Sequence, residues 1–537
     1  MRHSTLHRRL RWAAPAALAG FFGALSVGAG QAHAETIPID PAGDLIAAVA
    51  GLVPGDELVL AGGTYNLAAL FTIAVSGTAE MPIVIRAKDG EVPIITRPDA
   101  AQNTINVTGS YLILRGLEVM GGSHGIRLNN CSFVTIEGCN VHSTGDVAIS
   151  ANIPGSSYQG LTFRRNNVHD TGGTGEGFYL GCNDDACQMF DSLLEGNYVH
   201  DTVNGTQQGD GIEIKLGSYN NVVRDNVIHD TRYPCILVYG ANGNGGPNII
   251  ERNAMWGCGD HGIQAASDAT IRNNIILGAV ADGIRSQPHQ GAEPQNLIIV
   301  HNTVINDGDT IRADGVIGSL LIANNALYSQ NGSALRVAGD LGAVVSAGNF
   351  GVGGVQGVAG FNAGGDIAAD FLGADFSGAP GDVFPAPGSG LIGAGAAEHV
   401  AADDFNGTAR GGVADSGAYR FDAAGNPGWT LGPGFKDDLP GTGAGGAGGA
   451  GGAGGSGSGA GGPGSGGSGG AGTGAGAGSG NGSGGASSGE SPADDEGDCG
   501  CRVPGRRFGS PAGPAALGLI VAGWLARRRR RRGPLHS

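Results

Sequence analysis

Lysine is scarce in this chain of 537 residues: only Lys88, Lys215 and Lys436 occur. Of these, Lys215 alone falls within a regular repeat, in the stretch Asp210-Gly-Ile-Glu-Ile-Lys-Leu-Gly-Ser218. The alternation there turns Ile212 and Ile214 to one side and Glu213 and Lys215 to the other, as in a strand with one buried face. Aligning the next copy of the repeat sets Tyr239 beside Lys215, about 4.8 Å away by strand stacking. A lysine, a phenol and a carboxylate on one face can do acid–base work. The chemistry that fits is elimination from a uronic-acid polymer. A base (Lys215) takes the proton α to the carboxylate, an acid (Tyr239) protonates the leaving oxygen, and a cation neutralises the carboxylate. Glu176 and Asp210, equivalent positions on neighbouring repeats, together with Asp184 or Asp185, are the candidate ligands of that cation. Oxygen donors of this kind suit Ca²⁺. Glu213, Tyr179, Gln264 and Arg285, outward on the same face, are the candidate substrate-binding residues. The structural alternative is a Lys215–Glu213 surface pair, with Glu176 and Asp210 as turn residues.

Two further groups compete for attention. His142, His169, His200 and His229 recur at one register, three of them in His-Asp-Thr. Stacked imidazoles can bind a metal, but a copied His-Asp-Thr reads better as turn chemistry, with Asp and Thr bonded to the backbone. Asp184-Asp185 with His261-Gly262 resemble the paired acids and His-Gly of polygalacturonase-type hydrolases. Paired carboxylates are the requirement of glycoside hydrolysis, but the Arg-x-Lys expected after that His-Gly is missing.

The element that must position these residues is a repeat of the form small-Ile-x-Ile-x. It runs through Gly125-Ile-Arg-Leu128, Ala148-Ile-Ser-Ala151, Gly177-Phe-Tyr-Leu180, Gly211-Ile-Glu-Ile214, Cys235-Ile-Leu-Val238, Gly262-Ile-Gln-Ala265, Gly283-Ile-Arg-Ser286 and Thr310-Ile-Arg-Ala313, with starts 21 to 34 residues apart. Between the copies lie segments such as LTFRRNNVHDT and NVVRDNVIHDT. Short strands at this period, with no helical periodicity from Asp99 to Gly339, predict an all-β solenoid, a right-handed parallel β-helix over residues 35–437. The same register aligns Asn166, Asn197, Asn226, Asn253, Asn274, Asn302 and Asn325, predicting an internal asparagine ladder. A β-propeller needs blades of about 40 residues, which these spacings do not fit.

The segments GDELVLAGGTY, SGTAEMPIVIRA and INVTGSYLILRGLEVMGG, within Gly55 to Gly122, resemble the first coils of β-helix polysaccharide lyases of the chondroitinase B and alginate lyase type. That resemblance is one of fold. In the chondroitinase B type an acidic residue precedes the lysine by five positions and an arginine follows one coil later. Asp210 and Lys215 match the first spacing, but Ile236 to Tyr239 contains no arginine, so the resemblance implies an altered site. Pro385 to Trp429 resembles the closing segment of such proteins, a cap.

The ends of the chain frame the body. Arg2, Arg8, Arg9 and Arg11, the apolar run Ala13 to Val27 and Ala32-His33-Ala34 read as a signal peptide over residues 1–34. Residues 438–497 are a Gly/Ala/Ser-rich linker, too poor in apolar side chains to fold. In residues 498–537, Cys499-Gly500-Cys501, the apolar run Pro514 to Ala526 and Arg527 to Arg532 resemble the MYXO-CTERM sorting signal of myxobacteria. This implies an exported chain, held at the cell surface through a C-terminal transmembrane segment before processing.

Outside residues 1–34 and 498–537 there are 18 basic and 47 acidic residues, a formal charge of −29. Such a chain is unsuited to nucleic acid, whose phosphates require dense Lys and Arg. An anionic polysaccharide would need a local basic site or a bound cation. Six cysteines lie in the body; Cys182 with Cys187, Cys131 with Cys139 and Cys235 with Cys258 are close enough in the repeat to bridge in an oxidising compartment. The readings that emerge are a monomeric, surface-tethered polysaccharide lyase using Ca²⁺, a non-catalytic glycan-binding adhesin, and a polygalacturonase-type hydrolase.

Overall fold

The computed structural model describes residues 34–436. The signal peptide, the Gly-rich linker and the C-terminal segment expected from the sequence lie outside the described residues, apart from Ala34. Among the described residues no helix is long and apolar enough to cross a membrane.

The body is a right-handed β-solenoid of about 11 turns. Successive copies of the repeat pair in parallel and in register: Ile126 with Ile149, Phe178 with Ile212, Ile212 with Ile236, and Ile263 with Ile284. Three such columns of strands run along the axis. One is a 13-stranded sheet from Thr36–Ile39 to Ala343–Ala347. A second holds the His-Asp-Thr strands, such as Asn167–Thr171 and Val227–Thr231. The third holds the small-Ile-x-Ile strands. The inward residues Ile126, Leu128, Phe178, Leu180, Ile212, Ile214, Ile236 and Val238 fill one continuous apolar core. Each repeat alone cannot bury its apolar face; stacking supplies the missing side, so the core is the sum of neighbours.

The asparagine column links the turns. Asn226 Oδ1 accepts from the Asn197 backbone N–H (2.8 Å) and from Asn197 Nδ2 (2.9 Å). Its Nδ2 donates to Leu194 O (3.1 Å) and Asn253 Oδ1 (2.9 Å). The pattern repeats through Asn166, Asn197, Asn226, Asn253, Asn274, Asn302 and Asn325, and extends one coil further to Asn349. All are buried, and each amide satisfies backbone groups that the turn would otherwise leave unpaired.

A short helix, Leu45–Ala50, is capped by Asp44, whose side chain accepts from Ala47 N (3.0 Å). It buries Leu45 and Val49 in the same apolar cluster as Tyr65 and Phe71, which covers the N-terminal coils. The segment expected as a C-terminal cap packs along the flank of the coils. Leu391, Phe405 and Tyr419 join Val227, Ala254, Ile275 and Ala326 in a second apolar cluster. Those four residues face outward from the His-Asp-Thr column, and the C-terminal segment removes them from water. Lys436 fastens it, donating to Asp225 Oδ1 (2.8 Å) and to Phe405 O (2.7 Å).

Cys182 with Cys187 and Cys235 with Cys258 lie at disulfide distance, whereas Cys131 and Cys139 are buried and unpaired.

Candidate functional site

The third column presents its outward residues as a ladder of rungs: Arg127, Ser150, Tyr179, Glu213, Leu237, Gln264, Arg285, Arg312 and Arg336 are in register. Lys215 and Tyr239 occupy the column next to it. The register thus joins residues that the chain separates by 24 positions, and the side chains make contact. Lys215 Nζ lies 2.6 Å from Glu213 Oε1 and donates to Tyr239 OH at 3.0 Å. The Tyr239 hydroxyl lies 3.0 Å from Glu213 Oε1 and from Gln290 Oε1. The Lys215 ammonium also sits over the rings of Tyr179 and Tyr239, at 4.6 and 4.7 Å from the centroids.

Glu176, Asp210 and Glu213 form an acidic triple whose ligand oxygens fall within 4.8 Å of one another. All three residues are buried, and each keeps one oxygen without a hydrogen-bond partner: Glu176 Oε1, Asp210 Oδ1 and Glu213 Oε2. Three buried carboxylates this close together, each with an oxygen lacking a partner, are unfavourable unless a proton or a cation joins them. Burial, then the charge of Glu213, push the Glu176 carboxyl up to about 8. The same causes raise Asp210 well above the usual carboxylate range. The hydrogen bonding of Thr174 agrees: its Oγ1 lies 2.6 Å from both Asp146 Oδ1 and Glu176 Oε2. A hydroxyl has one proton to give. If Thr174 donates to Asp146, Glu176 is the donor to Thr174, which its raised carboxyl allows.

Lys215 is held as the ammonium. Burial pulls it down, but the charges of Glu213 and Tyr179 outweigh that and leave it above its ordinary value. Burial first, and then Glu213 and Asp210, raise the Tyr239 hydroxyl, which stays protonated and able to donate.

The site is more enclosed than an open groove. Lys215 is 1% exposed although it points away from the solenoid core. The cover is the loop of residues 287–294. Ala292 packs with Leu216, Leu237, Tyr239 and Ala266, the His289 ring tilts against Tyr239 (centroids 5.0 Å), and Gln290 meets the Tyr239 hydroxyl. His289 and Gln290 were not foreseen from the sequence, because they lie in an irregular loop with no register to place them. Thr174 and Asp146 likewise lie in turns outside the strand register.

Asp184 and Asp185, expected among the cation ligands, do not join the triple; Glu213 takes that place. The turn Asn183–Asp185, bracketed by Cys182 and Cys187, leaves Asp184 exposed. Asp185 is occupied by Asn242 Nδ2 (2.9 Å), Asn244 Nδ2 (3.1 Å) and Gln188 Nε2 (2.7 Å). A side chain on Gly217, which has a φ of 83°, would collide with the Asp185 carboxylate, so the loop fits only over glycine. His261 lies beside Asp260 and Asp282, at 3.7 Å from each. The paired acids and the His-Gly of a polygalacturonase-type hydrolase are thus not assembled.

The histidine column is fully occupied by its own repeat. The His142, His169 and His200 rings stack at 4.8 Å centroid spacing, and His229 continues the stack onto Trp256. In His169 and His200, Nδ1 pairs with the following aspartate (2.8 and 2.7 Å) and Nε2 with an asparagine one coil back (3.1 Å each). Asp170, Asp201 and Asp230 share a φ of 51–52°, and Thr171, Thr202 and Thr231 donate to backbone carbonyls. This is turn chemistry copied from coil to coil.

Comparison with known proteins agrees on the fold. Residues 27–192 match the family model described as Pel9A-like, right handed beta helix region, and residues 156–327 match that of the right handed beta helix region. No curated protein matches the chain in sequence. Among solved structures it is similar to an alginate lyase from Paenibacillus sp. str. FPU-7, at 22% identity over 49% of this chain and 97% of that one (TM-score 0.37). Pectate lyase Pel9A gives 16% identity over 72% and 96% (TM-score 0.44). A mannuronic acid specific polysaccharide family 6 lyase from human gut microbiota gives 15% over 59% and 86% (TM-score 0.34). The chain is accordingly a right-handed β-helix, matched by a Pel9A-like family model over its N-terminal coils, and its chemistry has to be argued from the site.

Proposed function

We propose that this chain is a polysaccharide lyase that cleaves a uronic-acid-containing polymer by β-elimination, with Ca²⁺ held by Glu176, Asp210 and Glu213. The observation that carries this reading is the convergence of three buried carboxylates, each with an unpartnered oxygen, beside a lysine–tyrosine pair. Hard oxygen donors of this number and charge fit calcium, and an ion there would satisfy all three at once. When bound, such an ion supplies the positive charge that neutralises a uronate carboxylate and acidifies the proton α to it.

The chain's own residues divide the remaining work. Lys215 is the base: the resting ammonium, paired with Glu213, first gives its proton to solvent, and the free amine then takes the proton α to the carboxylate. Glu213 belongs to both halves of the site: its Oε1 meets Lys215 and Tyr239, and its carboxylate is one of the acidic triple. Tyr239 keeps its proton and is placed to deliver it to the leaving glycosidic oxygen. Tyr179 supports the Lys215 ammonium through its ring and limits where the amine can swing. The loop over Tyr239 excludes water, which strengthens every electrostatic interaction beneath it, and it has to lift for a polymer to enter. On this reading the protein works outside the cell, tethered at its surface by the segments that follow residue 437.

The test uses the purified chain with calcium or chelator, against alginate, pectate and glycosaminoglycans, following the ultraviolet absorbance of an unsaturated uronate. Absorbance growth that disappears with chelator and with Lys215→Ala is the expected result. A signal that survives Lys215→Ala would remove Lys215 from the mechanism. Binding of glycan without any absorbance change would support the adhesin instead.

A further inference from the structure

We propose that Gln264 and Arg285 form a second carboxylate-binding site, a uronate subsite displaced along the ladder from the acidic triple and sealed by the loop of residues 287–294. The proposal rests on the lyase reading for the identity of its ligand, and deepens it by saying how a long polymer is gripped. Gln264 and Arg285 are paired in register on adjacent rungs, 3% and 6% exposed. Gln264 Nε2 and Arg285 Nη1 are both buried without an acceptor. Buried N–H donors with nothing to bond are costly and rare in native structures, and here two lie on neighbouring rungs of the same outward face.

The remaining guanidinium nitrogens of Arg285 are committed. Nη2 reaches Asp314 Oδ2 (2.8 Å) and Gln287 Oε1 (2.8 Å), and Nε lies 3.0 Å from Gln287 Oε1 and 3.8 Å from Asp282 Oδ2. Asp314 is shared with Arg312, whose Nε lies 3.1 Å away, so one carboxylate serves two arginines. Burial, outweighing these carboxylates, lowers Arg285 from its ordinary value, the sign of a buried cation with too little compensating charge. An amide N–H and a guanidinium N–H on neighbouring rungs suit the two oxygens of a carboxylate.

The spacing fits a polymer. Gln264 and Arg285 lie two and three rungs from Glu213, roughly 10 and 14 Å at the strand spacing. A polyuronate carries a carboxylate on every sugar. A chain with one carboxylate at the triple therefore sets another some sugars along, where a disaccharide cannot reach. Gln287, bonded to Arg285, and Gln290, bonded to Tyr239, are both in the covering loop. Lifting it would free the guanidinium and open the reacting groups together.

The test measures binding to the full chain carrying Lys215→Ala, which prevents turnover, by calorimetry in calcium. The probes are hexamers and dimers of galacturonate and mannuronate, and hexamers with reduced carboxyls. Arg285→Gln and, separately, Gln264→Leu should each weaken binding of a hexamer by about tenfold, the expected loss for one hydrogen bond to a charged group. Dimer binding should not change, and the carboxyl-reduced hexamer should not distinguish the variants. Because Arg285 also pairs with Asp314, Gln264→Leu provides a variant that leaves that pair intact. Unchanged hexamer affinity in both variants overturns the subsite, as does failure of either uronate hexamer to bind. If the unsubstituted chain yields no unsaturated product while hexamer binding still depends on Arg285 and Gln264, the lyase reading falls and the subsite stands.

Discussion

Replacing Glu176 with glutamine should stabilise the ion-free protein and weaken its response to calcium. The reasoning starts from Glu176, buried with one oxygen orphaned and raised from 4.5 to about 8. A folded state that retains a proton the unfolded chain has released loses stability as pH rises between those two values. Because pH 7 lies about 2.5 pH units above the unfolded value and still below the folded one, roughly 3 kcal/mol of stability is lost there. At pH 5 the loss is under about 1 kcal/mol, and it levels off above about pH 8. Glutamine does not titrate, and its amide can donate to Thr174 as the protonated acid does. In chelator, Glu176→Gln should therefore exceed the unsubstituted protein by up to roughly 3 kcal/mol at pH 7, with the advantage vanishing near pH 4.5. Calcium should narrow or reverse the gap, because a ligand that binds only the folded state at 100 times its Kd adds about 2.7 kcal/mol, and glutamine removes one of its three charges. Urea unfolding midpoints at pH 5 and 7, in chelator and in calcium, decide the matter. A variant less stable than the parent in chelator at pH 7, or equal calcium stabilisation of both proteins, would refute the reasoning.

Asn226→Leu, nearly isosteric, removes four buried hydrogen bonds from the asparagine ladder and should cost about 4 kcal/mol at ~1 kcal/mol each. Hydrogen exchange should show the Asn197 amide losing protection first, and a cost below about 1 kcal/mol would mean that the ladder is incidental. His301 is buried and accepts from Asn324 Nδ2 (3.2 Å); burial and then Arg410 lower it from 6.5 to about 3. A neutral buried histidine leaves stability intact above the unfolded value and removes about 1.4 kcal/mol per pH unit as pH falls from about 6.5 to about 3. His301→Gln should therefore flatten the acid limb of the stability curve, and an unchanged slope between pH 6 and 4 would assign that limb elsewhere.

The sequence by itself determined the solenoid. A strand period of two, returning every 21 to 34 residues with asparagine at one register, leaves no other way to bury the isoleucines, and register is local information copied from coil to coil. For the same reason it placed Lys215 beside Tyr239 and Glu176 beside Asp210, since neighbours across a ladder follow from alignment alone. What required the tertiary structure lies off the ladder. Asp184 and Asp185 have the charge a cation ligand needs, yet a loop pinned by Asn242 and Asn244 holds them out of the triple. Glu213 joined the triple because its side chain reaches both ways, a matter of rotamer and packing with no trace in the spacing. The loop that covers Tyr239 and brings in His289 and Gln290 could not be aligned to anything. Neither could the C-terminal segment, which covers the outward Val227, Ala254 and Ile275 along the flank. Repeated elements are fixed by periodic burial, whereas irregular segments settle wherever exposed apolar surface and unpaired donors remain, and those appear only once the coils are stacked.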